Sequence, residues 1–301
     1  MFPSFISSEV NNLTESTSIA LAKQIKLESI ETPLSKNAML PTRALPIATA
    51  YVKQGSGRTP ILLIHGFDSS LLEFRRLIPL LAEQHETWGV DLLGFGFSSR
   101  NLDIPINPEN IKTHLYYFWQ SLIQQPVILV GASMGGAAAM DFTLTYPEAV
   151  EKLVLIDSAG LAKPPAVGKL MFPPLDYFAT EFLRNPKIRQ NISRAAYFDQ
   201  SLASLDAQAC AALHLKCQDW NKALIAFTKS GGYGSFATKI SDIQQPTLIL
   251  WGKQDKILGT KDASKFNQAI PNSKLVWIDN CGHVPHLEKP QVTAQEILQY
   301  C

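Results

Sequence analysis

A serine set between glycines, an aspartate and a histidine, met in that order, are the residues of this 301-residue chain whose types and spacing could do covalent chemistry. Gly131-Ala132-Ser133-Met134-Gly135 follows Pro126-Val127-Ile128-Leu129-Val130, an apolar, β-branched run of the kind that forms a buried parallel strand. Glycines on both sides permit a sharp strand-to-helix turn, which would push the Ser133 hydroxyl clear of the sheet as a nucleophile. The small residues from Gly135 to Ala139 would equally serve close helix packing, so the string takes its meaning from its partners.

Asp255 follows a second buried-strand pattern at 247–252, and His283 lies in Asn280-Cys281-Gly282-His283 after a third at 275–278. Both loops would leave the sheet on the edge that carries the serine turn, where parallel α/β sheets put their sites. A nucleophile, an acid and a histidine in that order form a relay in which the acid orients the imidazole and the imidazole takes the serine proton. Asp157 also ends a strand pattern and is the second position from which the acid could come. Asp255 is preferred because its strand directly precedes the histidine segment. His286 then reads as a decoy, and His85, His114 and His214 as surface or packing residues.

The strand pattern 61–64 runs into His65-Gly66-Phe67-Asp68-Ser69-Ser70, which resembles the oxyanion loop of α/β-hydrolases. In that resemblance the N–H groups of Phe67 and Met134 face the oxygen that becomes negative when Ser133 attacks a carbonyl. Backbone amides carry that role, so His65 is expected to be a packed, hydrogen-bonded histidine that shapes the turn.

Other chemistries fit poorly. Gly94-Phe95-Gly96-Phe97-Ser98-Ser99 has Ser99 where a dinucleotide fingerprint needs its third glycine, and no Gly-Lys-Ser/Thr closes a phosphate loop. The four cysteines, Cys210, Cys217, Cys281 and Cys301, show no paired C-x-x-C spacing, so neither zinc nor a redox dithiol is expected, and no other metal or cofactor is called for. A net charge of +1 gives no electrostatic case for nucleic acid. No apolar run reaches the roughly 18 to 20 residues of a membrane helix. The cysteine usage and the lack of an apolar-cored leader point to a reducing, cytoplasmic setting.

The elements that must position these residues follow from the pattern. Residues 1–46 are polar and mixed, with one helical stretch at 15–31, and read as a loosely packed extension whose first six residues could touch a membrane surface. From 47 to 160, and again from 242 to 301, strand patterns alternate with helical ones, which implies a mostly parallel sheet flanked by helices. Between 161 and 241 the strands stop and helices separated by Pro and Gly take over, as in an inserted cap. Its aromatics include Phe172, Phe182, Trp220 and Tyr233. Many must form the cap's own core; the rest would wall an apolar pocket over Ser133, with Phe182, Trp220 and Tyr233 as candidates.

Taken together the chain resembles the α/β-hydrolase superfamily over residues 47–301. Within it the chain is most similar to the chlorophyll dephytylases of plants and cyanobacteria, in His65-Gly66-Phe67-Asp68-Ser69-Ser70, Asp91-Leu92-Leu93-Gly94-Phe95-Gly96-Phe97-Ser98, Ser230-Gly231-Gly232-Tyr233 and Asn280-Cys281-Gly282-His283-Val284-Pro285-His286. It departs from the plant form at Ala132, where that form has proline. The resemblance implies hydrolysis of the phytyl ester of chlorophyll by Ser133, Asp255 and His283, with peripheral contact at the thylakoid membrane. Two other functions share these residues: a carbon–carbon bond hydrolase of ring-cleavage products, and a receptor that keeps the triad to sense a bound small molecule.

Overall fold

The computed structural model describes residues 1–34, 43–101, 103–162 and 173–301. Among these residues eight strands form one sheet: β1 (Lys26–Leu34), β2 (Arg43–Gln54), β3 (Ile61–Ile64), β4 (Thr87–Val90), β5 (Val127–Ala132), β6 (Val150–Ile156), β7 (Thr247–Gly252) and β8 (Ser273–Ile278). They lie in the order β1-β2-β4-β3-β5-β6-β7-β8. β2 is antiparallel to both β1 and β4, and every other pairing is parallel.

Parallel strands must be covered on both faces, which is why β3, β5 and β7 are buried from end to end. Alternate side chains feed two cores. Leu62, Ile64, Leu129 and Ile249 join one, with α3 (Pro108–Leu122), α4 (Met134–Thr145) and α9 (Lys261–Ala269). Ile61, Leu63, Ile128 and Leu248 join the other, with α1 (Ser16–Gln24), α2 (Ile78–Leu81) and α11 (Pro290–Tyr300).

Between β6 and β7 the described residues include four α-helices, α5 (Leu175–Arg184), α6 (Pro186–Ala196), α7 (Leu205–Ala212) and α8 (Trp220–Lys229). Asn185 caps α6 by accepting from the Lys187 N–H, and Pro186 occupies its first turn, where a missing donor costs nothing. A short helix, α10 (Pro285–Glu288), follows the His283 loop. Phe172 lies outside the described residues.

The amino-terminal segment differs from expectation. In place of a helical stretch reaching residue 31 within a loose extension, the helix ends at Gln24 and Lys26–Leu34 forms the edge strand β1, paired with β2 from Lys26 opposite Tyr51 to Leu34 opposite Arg43. Ile30, Thr32 and Leu34 turn inward at every second position, a period-2 signal diluted by the charged residues that protect a sheet edge. The first residues are packed as well: Ile6, Val10 and Leu13 are buried. His114, in α3, is a packing residue, its two ring nitrogens each 2.8 Å from a strand hydroxyl, Thr32 on β1 and Thr49 on β2.

Candidate active site

Ser133 sits between the end of β5 and the first residue of α4 with φ 52° and ψ −119°, a conformation that L-residues avoid at a cost on the order of 1–3 kcal/mol. The surroundings enforce it. The Ser133 N–H donates to Ile156 O at 3.0 Å, and the Ser133 carbonyl accepts from Gly136 N and Ala159 N, both at 3.0 Å. A Cβ on Gly135 would strike the carbonyls of Ile64 and His65, so α4 starts this close to β3 only because residue 135 has no side chain.

Asp255 and His283 come together from separate loops. His283 Nδ1 lies 3.0 Å from Asp255 Oδ2, while Asp255 Oδ1 accepts from the N–H groups of Ile257 (2.7 Å) and Leu258 (3.1 Å). Burial opposes ionisation of Asp255, but the His283 imidazole and the two amides outweigh it and hold the carboxyl below its usual range. An ionised partner at Nδ1 fixes the tautomer, leaving the Nε2 lone pair of a neutral ring available. The loop is anchored through its backbone: the His283 N–H donates to Ala196 O at 2.7 Å, and a Cβ on Gly282 would collide with the backbone of residues 196–198.

Asp157 is close by, its carboxyl within 4.8 Å of the reactive atoms of Asp255 and His283. Burial and the negative charge of Asp255 push its pKa well above the usual carboxylate range, although it accepts a 3.0 Å bond from the Gly252 N–H. Both effects disfavour a charge on Asp157 while Asp255 is ionised. These three groups are spaced closely enough to hold a cation, but an Asp157 whose burial opposes ionisation and an imidazole already bonded to Asp255 make a poor ligand set.

The loop after β3 wraps the other side of Ser133. Gly66 comes so near that a Cβ on it would stand 3.4 Å from Ser133 Cβ. Its N–H donates to Glu73 Oε2 at 3.1 Å. Burial works against the Glu73 charge, yet His286, 3.2 Å from Oε1, and Ser69 hold its pKa at about 2. Neither the Phe67 nor the Met134 N–H donates to an acceptor among the described residues. His65 is structural: Nδ1 donates to Gly66 O (2.8 Å), Nε2 accepts from Leu92 N (3.2 Å), and burial lowers its pKa to about 4.

Ser133 and His283 line one cavity of about 320 Å³, roofed by α6 and α7 and walled by apolar groups such as Leu183, Ile192, Val284 and Leu287. Phe182, Trp220 and Tyr233 do not line it. Phe182 points away, 60% exposed, because the cavity-facing residue of that helical turn is Leu183. Tyr233 packs on Phe227, with ring centres 6.0 Å apart. Trp220 is buried for another purpose.

The Trp220 indole N–H donates to Asp68 Oδ1 at 2.7 Å, His214 Nε2 lies 3.2 Å from the same oxygen, and Arg189 Nη1 donates to Asp68 Oδ2 at 2.7 Å. One carboxylate, next in sequence to Phe67 and itself at φ 48°, thus gathers three cap residues. Burial opposes the Asp68 charge, but His214 and Arg189 hold its pKa at about 2. Sequence reasoning missed this cluster and read His214 as a surface or packing residue. Its members lie up to 152 positions from Asp68, and no local spacing announces them. A second carboxylate, Glu288, accepts from Gly282 N (2.7 Å), Phe198 N (3.0 Å) and Asp199 N (2.7 Å) and joins the histidine loop to the cap. A third, Asp206 of α7, accepts from the N–H groups of Thr14 and Glu15 and ties the cap to the amino-terminal segment.

Comparison with known proteins agrees with this architecture. The chain is 33% identical over 298 residues, 96% of its length and 87% of the relative's, to the alpha/beta hydrolase domain-containing protein VTE7 of Arabidopsis thaliana. It is 27% identical over 84% of its length to the 2-hydroxy-6-oxo-6-(2'-aminophenyl)hexa-2,4-dienoic acid hydrolase of Metapseudomonas resinovorans, covering 87% of that protein. Among solved structures it superposes on a serine hydrolase involved in carbazole degradation, CarC, with a TM-score of 0.75 and 25% identity, over 92% of this chain and 98% of that one. The family model for the alpha/beta hydrolase fold matches residues 59–290, and on that match the protein belongs to the alpha/beta hydrolase family.

Proposed function

We propose that the protein is a serine hydrolase of carboxylic esters with a bulky hydrophobic alcohol, and that the phytyl ester of chlorophyll is its substrate. The observation that carries the reading is the Asp255–His283 hydrogen bond beside a strained Ser133, with Ser133 and His283 lining one apolar cavity. His283 Nε2 takes the Ser133 proton as the serine oxygen attacks the ester carbonyl, and Asp255 stabilises the imidazolium that results. The N–H groups of Phe67 and Met134 receive the developing oxyanion. His283 then protonates the departing alcohol and activates the water that releases the acid. The chlorophyll assignment is supported by the sequence resemblance described above.

Kinetics on an alcohol series from methyl to phytyl tests the reading. The specificity constant should climb with chain length, since each buried methylene contributes about 0.8 kcal/mol. A flat or falling series would sink it. Similarity to the dienoic acid hydrolase favours a second reading, carbon–carbon bond hydrolysis at the same serine. Turnover of a ring-cleavage dienoate without turnover of any ester would put that reading first.

A further inference from the structure

Helix α5 is inside out. Its inward face carries Asp176 and Thr180, both buried, together with Leu183 at the cavity. Asp176 takes an ion pair from Lys229 at 2.9 Å, and the Thr180 hydroxyl bonds back to Tyr177 O at 2.9 Å. Its outward face carries Leu175, Phe178 and Phe182, spaced i, i+3, i+7 so that they form one stripe, and they are 50%, 62% and 60% exposed. A helix packed only to close a cap would bury these aromatics and expose the acid.

The rim of the cavity also exposes apolar side chains, and Leu183 of the same helix lines the cavity. Ile192 of α6 and Ile257 of the Asp255 loop are cavity-lining residues and are also 48% and 43% exposed. Basic residues follow in the chain: Arg184 in the last turn of α5, and Lys187 and Arg194 on α6, are exposed. The acids nearby are already engaged, Asp176 by Lys229 and Glu181 by Arg184 at 3.4 Å. Apolar side chains at the centre, with Lys187 and Arg194 paired to no acid among the described residues, fit a bilayer with anionic headgroups better than a protein surface.

We propose that the exposed face of α5, with the cavity rim, docks the protein on a lipid surface carrying anionic headgroups, so that an apolar substrate passes from the bilayer to Ser133 without crossing water. The delivery role rests on the ester-hydrolase reading above, but the docking does not. The surface differs from the first six residues, which the sequence reads as a loosely packed terminus able to touch a membrane and where Ile6 is buried in the core.

The test is co-sedimentation of the full chain with vesicles of phosphatidylcholine alone and of phosphatidylcholine mixed with phosphatidylglycerol. The wild-type chain should pellet with the mixed vesicles, and Phe178→Glu combined with Phe182→Glu should cut the bound fraction by about tenfold or more. Phe178→Glu alone should weaken binding while hydrolysis of soluble p-nitrophenyl butyrate stays at the wild-type level, which separates lost docking from lost folding. Failure of the wild-type chain to pellet, undiminished binding by the double variant, or equal binding to both vesicle types would overturn the proposal. A dimer in solution that Phe178→Glu abolishes would overturn it too, by giving the stripe to a second copy. Binding is read without catalysis, so a chain that docks but cleaves no ester would refute the function and leave the docking standing.

Discussion

The floor and the roof of the cavity are held by different means. The floor is backbone: Ser133 is locked by hydrogen bonds to β6 and its flanking loop, and the His283 loop by an N–H bond to Ala196. The roof hangs on side-chain carboxylates, Asp68, Glu288 and Asp206, each accepting from two or more donors on another part of the chain. Backbone bonds of a sheet survive most substitutions; a carboxylate that gathers several donors is removed by one. Changes at the floor should therefore act on chemistry with little effect on folding, and changes at the roof should act first on stability.

The largest expected effect lies on the floor. Ser133→Ala should leave a folded protein whose turnover falls by about 10⁶, as in serine-triad knockouts. Ester hydrolysis at a third of the wild-type rate would show that the reaction does not run through this hydroxyl.

Next comes a contrast within the floor itself. Asp255→Asn should lose roughly 10⁴ in turnover, because the amide cannot hold the imidazole in the required tautomer. Asp157→Asn should keep turnover within a few-fold of wild type, since burial and the neighbouring Asp255 charge already disfavour an ionised carboxyl there, and any effect should appear in stability. Equal losses of turnover from the two variants would mean that Asp157 shares the charge, contrary to its raised pKa.

The smallest effect tests the roof. Asp68→Asn should lower stability by about 2 kcal/mol at pH 7, the worth of a carboxyl moved from its ordinary pKa to about 2. The sign follows from that direction. The folded pKa lies below the unfolded one, so the contribution is present above about pH 4 and is lost as pH falls toward 2. Urea unfolding of both proteins at descending pH should show the gap closing. A gap that stayed constant into acid would assign the loss to packing of Trp220 instead of to charge.

What could be read from the sequence divides along the same line. Buried parallel strands announce themselves as apolar runs, and a residue in the loop after such a run is placed by the strand. Asp255 and His283 were legible in that way and do meet. Cap residues have no such guide. Phe182 and Trp220 are both aromatic and both in helices, yet one faces solvent and the other is drawn inward by Asp68, a partner 152 positions away that no periodicity reveals. Edge strand β1 was missed for a related reason: its charges belong to its position at the end of the sheet and mask the alternation.

Glu288 has one more consequence, for traffic. Because a single carboxylate holds the amides of Gly282, Phe198 and Asp199, the cap and the histidine loop are yoked at that corner. A cap that lifted there like a hinged door would drag His283 off Asp255 each time, and every admission of substrate would dismantle the relay that is to act on it. Substrate that enters without lifting that corner leaves the relay intact, and Ile192 and Ile257, which line the chamber and are also exposed, mark where it meets the surface.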